Sequence, residues 1–136
     1  MITDLGSIPI LVNDAEKALR WYHEKLGFEI VNDKGHWIAA RPKNSLTVLH
    51  LCGKCSSWGA DTPGGQTGIW FKCGESVQFN DESTGAVIPR SQQENVEDTY
   101  LELKGRGVEF STELRDSPLG KYAVLKDLDG NEFYIW

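Results

Sequence analysis

The 136-residue sequence has no apolar run near the roughly 20 residues that a membrane-spanning helix needs, so no membrane partner is expected. Its opening residues, Met1-Ile2-Thr3-Asp4, lack the basic start and apolar stretch of a secretory signal. Cysteine is scarce and odd in number, at three, which does not read as the framework of a small disulfide-stapled secreted domain. A cytoplasmic location is expected. Basic residues are also few: 14 Lys and Arg face 20 Asp and Glu, giving a formal net charge of -6. Such a surface repels a phosphate backbone, and no nucleic-acid partner is expected. Gly-x-Gly-x-x-Gly and Walker patterns are missing, and Ser7 has no carboxylate with which a histidine could complete a nucleophilic triad. What is present is ordinary for one globular domain, with 40% hydrophobic and 25% charged residues.

The strongest local signal runs from Asn13 to Gly27. Asp14 suits an N-cap, Ala15, Ala18, Leu19, Tyr22 and Leu26 recur at helical spacing, and Gly27 suits the left-handed residue that ends a helix. Ser7 to Val12 precedes it as a strand with Ile8, Ile10 and Val12 on one face. Extended runs Phe28 to Asp33, His36 to Arg41 and Leu46 to Leu51 follow, parted by Lys34-Gly35 and Pro42-Lys43-Asn44-Ser45. The second half is read as a strand from Thr67 to Cys73, a helix opened by Asn95 and ending at Gly105 or Gly107, and strands Val108 to Thr112, Lys121 to Lys126 and Glu132 to Trp136. Asp129-Gly130-Asn131 is the last turn.

The halves repeat. Asp14-Ala15-Glu16 matches Asn95-Val96-Glu97, and Gly27-Phe28-Glu29-Ile30 matches Gly107-Val108-Glu109-Phe110. The expected fold is therefore α+β: two β-α-β-β-β modules whose bare sheet faces form a curved mixed sheet cup, with the helices on its convex side. Module one spans about residues 1–52, a Gly-rich linker 53–66, and module two 67–136. An insertion, 74–94, interrupts module two, and Val77-Gln78-Phe79 with Ala86-Val87-Ile88 suggest a hairpin in it, either a lid over the cup or an external arm.

Three stretches carry a family resemblance: Val12-Asn13-Asp14-Ala15-Glu16-Lys17-Ala18 with Trp21-Tyr22 and Leu26-Gly27-Phe28; Leu101 to Val108; and Gly120 to Asn131. In these the chain resembles the vicinal oxygen chelate superfamily, the glyoxalase, bleomycin-resistance and extradiol-dioxygenase group. The resemblance implies the paired-module fold and a homodimer. In metal-dependent members it also implies four ligands lining the cup, and those positions fall here on Ser7, His50, Gln66 and Tyr134. A hydroxyl and a neutral phenol are poor ligands for a catalytic divalent ion. Only His50 and Gln66 qualify, so no metal cofactor is expected, and these two would hold a divalent ion if one binds.

His50 is read either as a ligand or general acid or base, or as a neutral hydrogen-bonded imidazole. Cys52-Gly53-Lys54-Cys55 has the spacing of a zinc or dithiol pair, or holds two ordinary thiols. Trp70 and Trp136 share strand faces with Gln66 and Tyr134 respectively, and aromatic walls with few polar groups suit a flat organic molecule or simply fill space. The reading is a bleomycin-resistance-like protein binding a small, partly aromatic molecule, with Trp70, Tyr134 and Trp136 as walls and Ser7, His50 and Gln66 as polar anchors. The alternative is a metal-dependent lyase, isomerase or dioxygenase of the same superfamily that uses His50.

Overall fold

Alternating Ile8, Ile10 and Val12 form strand β1 (Ser7–Val12), after which Asp14 turns the chain into helix α1 (Ala15–Leu26). The computed structural model describes residues 1–53, 62–74 and 90–136, and over 90–95 the backbone alone. Asp14 is extended, at φ -137°, and its carboxylate accepts a hydrogen bond from the Lys17 amide at 3.0 Å. Gly27, at φ 71°, supplies the left-handed residue whose amide donates to the His23 carbonyl at 3.1 Å. Strands β2 (Glu29–Asn32), β3 (Ile38–Arg41) and β4 (Val48–Gly53) complete a sheet of order β1-β4-β3-β2. β1 runs parallel to β4, and the other neighbours are antiparallel. One face of this sheet packs against α1, burying Ile10, Val12, Leu19, Tyr22, Ile38 and Leu51. Each such side chain contributes about 1.5–3 kcal/mol.

The second half repeats the order: β5 (Gly65–Phe71), α2 (Arg90–Gly105), β6 (Glu109–Ser117), β7 (Gly120–Lys126) and β8 (Asn131–Ile135), in a sheet of order β5-β8-β7-β6. The Trp136 amide donates to Phe71 O at 3.1 Å and the Cys73 amide to Trp136 O at 2.8 Å, the slanted pattern of parallel neighbours. Val96, Tyr100 and Leu103 of α2 are buried, as are Leu125, Phe133 and Ile135 of the sheet. The two β-α-β-β-β modules of an α+β fold are thus present.

Two elements differ from the sequence reading. Helix α2 starts at Arg90, so Asn95 lies inside it and does not cap it. Arg90, Gln92, Gln93 and Glu94 are good helix formers, and one interior Asn costs only about 0.7 kcal/mol or less, so the helix propagates through it. Strand β6 continues five residues beyond Thr112 to Ser117, pairing Arg115 with Tyr122 and Asp116 with Lys121. The other boundaries agree within two residues. Residues 90–94 of the expected insertion are helical; the hairpin and lid expected over the rest of it lie outside the described residues.

The chain divides into two units, Met1–Thr67 with Asp127–Asn131, and Gly68–Lys126 with Glu132–Trp136. The five-residue turn joins the first unit because Asp127 anchors it. Asp127 Oδ2 accepts from the Tyr22 hydroxyl at 2.6 Å and Asn131 Nδ2 at 2.8 Å, and Oδ1 accepts from the amides of Asp129 and Asn131 at 2.8 and 2.9 Å. Asn131 Nδ2 also donates to Leu11 O at 2.9 Å, and Asn13 donates to Asp129 at 2.7 Å. No helix among the described residues is long and apolar enough to cross a membrane.

Candidate functional site: an aromatic sheet face

Cross-strand register decides which side chains of the second unit share the face away from α2. Val124 pairs with Tyr134 and Ala123 with Ile135, so Tyr122, Val124 and Tyr134 lie on one face while Leu125 and Phe133 lie on the other. The helix face is marked independently: Phe71 stacks on Phe133 at 4.9 Å, and Phe110 meets Tyr100 of α2 at 4.7 Å. On the opposite face the Trp70 and Tyr134 rings stack at a centroid distance of 4.2 Å and an interplanar angle of 15°. Tyr122 lies 5.9 Å from Trp70 and 6.1 Å from Tyr134, tilted against both. Trp70 is 48% exposed, an unusual state for so large an apolar ring. Three rings therefore form a surface with a water-facing indole. Trp136, partly buried, ends the chain two residues beyond Tyr134.

Of the expected walls Trp70, Tyr134 and Trp136, the structure stacks Trp70 on Tyr134, and it adds Tyr122, which the sequence reading did not name. A signal was there: a tight turn over Asp127 to Asn131 places Val124 opposite Tyr134, and period two then carries Tyr122 to the same face. Gln66, exposed, belongs to the first unit. Between it and Trp70 lies Gly68 at φ 72°, which interrupts the simple alternation used to put the two side chains on one face.

In the first unit, Ser7 and His50 share the face away from α1, since Ser7 pairs with Val48 and Pro9 with His50. Ser7 is exposed and His50 partly buried. The His50 ring lies 6.0 Å from that of Trp37, tilted by 40°, and its Nε2 is 3.4 Å from the His36 carbonyl oxygen. Arg41 at the same sheet's far side pairs with Glu29 at 3.2 Å. His50 and Trp37 thus occupy the register positions in this unit that Tyr134 and Tyr122 occupy in the other, a smaller aromatic pair.

No group of three or more His, Cys, Asp or Glu side chains suited to a metal ion occurs among the described residues. Of the positions that the resemblance implies as ligands, Ser7 offers a hydroxyl and Tyr134 a phenol packed flat on an indole, each a poor ligand for a catalytic divalent ion. Cys52 is disulfide-bonded, and the rest of its motif from Lys54 on lies outside the described residues. Cys73 is free and buried; burial pushes its thiol up, away from nucleophilic reactivity. Tyr22 is likewise pushed up, by burial first and by the Asp127 carboxylate second, and serves as a hydrogen-bond donor in the core.

Comparison with known proteins agrees with this geometry. The family model described as Glyoxalase/Bleomycin resistance protein/Dioxygenase superfamily matches residues 4–135. A member of that superfamily from Sphaerobacter thermophilus DSM 20745 has a crystal structure that superposes with a TM-score of 0.72 at 30% identity, covering 98% of this chain and 96% of its own. TnmS3, an antibiotic binding protein from Streptomyces sp. CB03234, superposes with a TM-score of 0.72 at 25% identity, covering 98% and 94%. The protein YetH of Bacillus subtilis (strain 168) is 28% identical over 140 residues, 99% of this chain and 98% of its own. The paired modules, their sheet order and the match over nearly the whole length lead to one conclusion: the chain belongs to the glyoxalase/bleomycin resistance protein/dioxygenase superfamily.

Proposed function

We propose that this protein binds a small, planar, partly aromatic organic molecule without a catalytic metal, as a cytoplasmic homodimer. The observation that carries the reading is the half-exposed Trp70 ring held flat by Tyr134 at 4.2 Å, with Tyr122 alongside. A ring already ordered by a neighbour loses little rotamer freedom when a ligand stacks on it. Its stacking contributes about 0.5–1.5 kcal/mol beyond the area buried. Tyr134 and Tyr122 add phenols able to donate or accept a hydrogen bond at the edge of such a ligand. In the first unit, His50 supplies a polar group beside Trp37, a second and smaller aromatic surface, and Ser7 lies on the same sheet face. The similarity to an antibiotic binding protein supports the reading, and the family supports the homodimer. The donor chemistry at Ser7, His50, Gln66 and Tyr134 favours recognition over metal-assisted chemistry.

A panel of planar aromatic antibiotics, titrated against tag-free protein and followed by isothermal calorimetry, tests it. At least one saturable interaction is expected, weakened in Trp70→Ala. A panel without any binder, or binding indifferent to Trp70, would remove the reading.

A further inference from the structure

The register of β6 holds two irregularities, and the second, between Thr112 and Arg115, re-aims a charge. Thr112 pairs with Val124 and Arg115 with Tyr122, so three steps on β6 match two on β7. That is a bulge with one extra residue, and a bulge re-aims whatever follows it. Under strict alternation from Thr112, Arg115 would fall on the α2 side and Asp116 on the aromatic side. The extra residue reverses this. Asp116 pairs in register with Lys121, whose Nζ lies 3.4 Å from Asp116 and 3.3 Å from Glu97 of α2. Lys121 and Asp116 therefore mark the helix side, and Arg115 shares the opposite face with Tyr122, Trp70 and Tyr134.

Lys126 has a carboxylate, Glu132, as its cross-strand neighbour in the β7–β8 register. Arg115 is exposed, stands opposite a neutral tyrosine, and forms no ion pair among the described residues. A chain of net charge -6 thus places at the margin of its aromatic surface a guanidinium that has no ion pair among the described residues. A guanidinium presents a planar fork of donors that fits a carboxylate with two parallel hydrogen bonds. Building on the ligand-binding reading above, we propose that Arg115 selects planar aromatic molecules that carry a carboxylate, the ring stacking on Trp70 and the anion meeting the guanidinium beside Tyr122.

The probes are 2-naphthoate and its uncharged carboxamide, titrated at low salt and followed by tryptophan fluorescence. The expected result is that naphthoate binds about three- to tenfold more tightly than the amide, as for a partly exposed charge-assisted pair. Arg115→Gln should abolish that preference by weakening naphthoate alone, Arg115→Lys should keep part of it, and added salt should narrow it in the wild type. Equal binding of both probes to the wild type, or a preference that survives Arg115→Gln in a variant with unchanged thermal unfolding, would overturn the proposal and leave the aromatic site standing. Absence of binding by either probe at millimolar concentration would overturn the aromatic site itself, and Arg115 selection with it.

Discussion

Tyr22→Phe deletes one hydroxyl and keeps the ring. Its effect isolates the bond that ties α1 to the Asp127 turn, 105 residues away. The hydroxyl donates at 2.6 Å to a carboxylate, Tyr22 is fully buried, and Asp127 is 6% exposed, so no water replaces the lost donor. A hydrogen bond to a charged group contributes about 1.5–3 kcal/mol. The phenyl ring retains its contacts with Phe28 at 5.6 Å and Trp21 at 5.2 Å, so no cavity adds to the cost. Oδ2 still accepts from Asn131 Nδ2 at 2.8 Å, which favours the lower half of the range. The expected loss is about 1.5–2.5 kcal/mol, or about 5–12 °C in melting temperature for a domain of this size. Urea unfolding followed by far-UV circular dichroism and by tryptophan fluorescence would measure it, with coincident transitions supporting two-state behaviour. A loss below about 0.5 kcal/mol with an unchanged midpoint would refute the reasoning, because a buried donor facing a carboxylate costs more than that to remove.

Other outcomes follow from the same structure. Tyr22 holds its proton more tightly when folded than when unfolded, so stability is fully present below the unfolded value near pH 10 and declines as pH rises above it; chemical denaturation between pH 9 and 11 should show a decline that is shallower in Tyr22→Phe. Gly27 sits at φ 71°, where a Cβ is strained, and Gly27→Ala should cost about 1 kcal/mol in urea unfolding while leaving the secondary structure intact. In contrast, Leu101→Gln on the exposed face of α2, where Leu101 is 65% exposed, should change stability by less than about 0.5 kcal/mol.

Much of the fold was legible because its signals are local. Asp14, the apolar spacing and Gly27 bound α1 within the sequence itself, and the alternation of Ile8, Ile10 and Val12 bounds β1. What was not legible depends on residues far apart in the chain. Nothing near Asn95 says that α2 begins five residues earlier, because both a cap and an interior position are open to asparagine. The end of β6 was hidden by its bulge, which breaks period two and leaves Thr112 looking like a strand end. The same bulge hid Arg115, whose face is set by pairing with Tyr122. Asp127 read as part of a turn, yet its role as the acceptor for Tyr22 emerges only from tertiary structure. In the candidate site, strand alternation put Trp70 and Tyr134 forward as wall candidates, whereas their face-to-face stack required β5 and β8 to be neighbours.

Recognition of a planar molecule at Trp70 is proposed to need no metal. Calorimetric titration of a bound aromatic antibiotic tests it most directly when run on chelator-treated protein, on the same protein with added zinc, nickel or manganese, and on Trp70→Ala. Affinity should be equal with and without metal and fall about tenfold in Trp70→Ala, in line with one lost stacking partner and its buried area. Binding abolished by the chelator, restored by a divalent ion and lost in His50→Ala would contradict it.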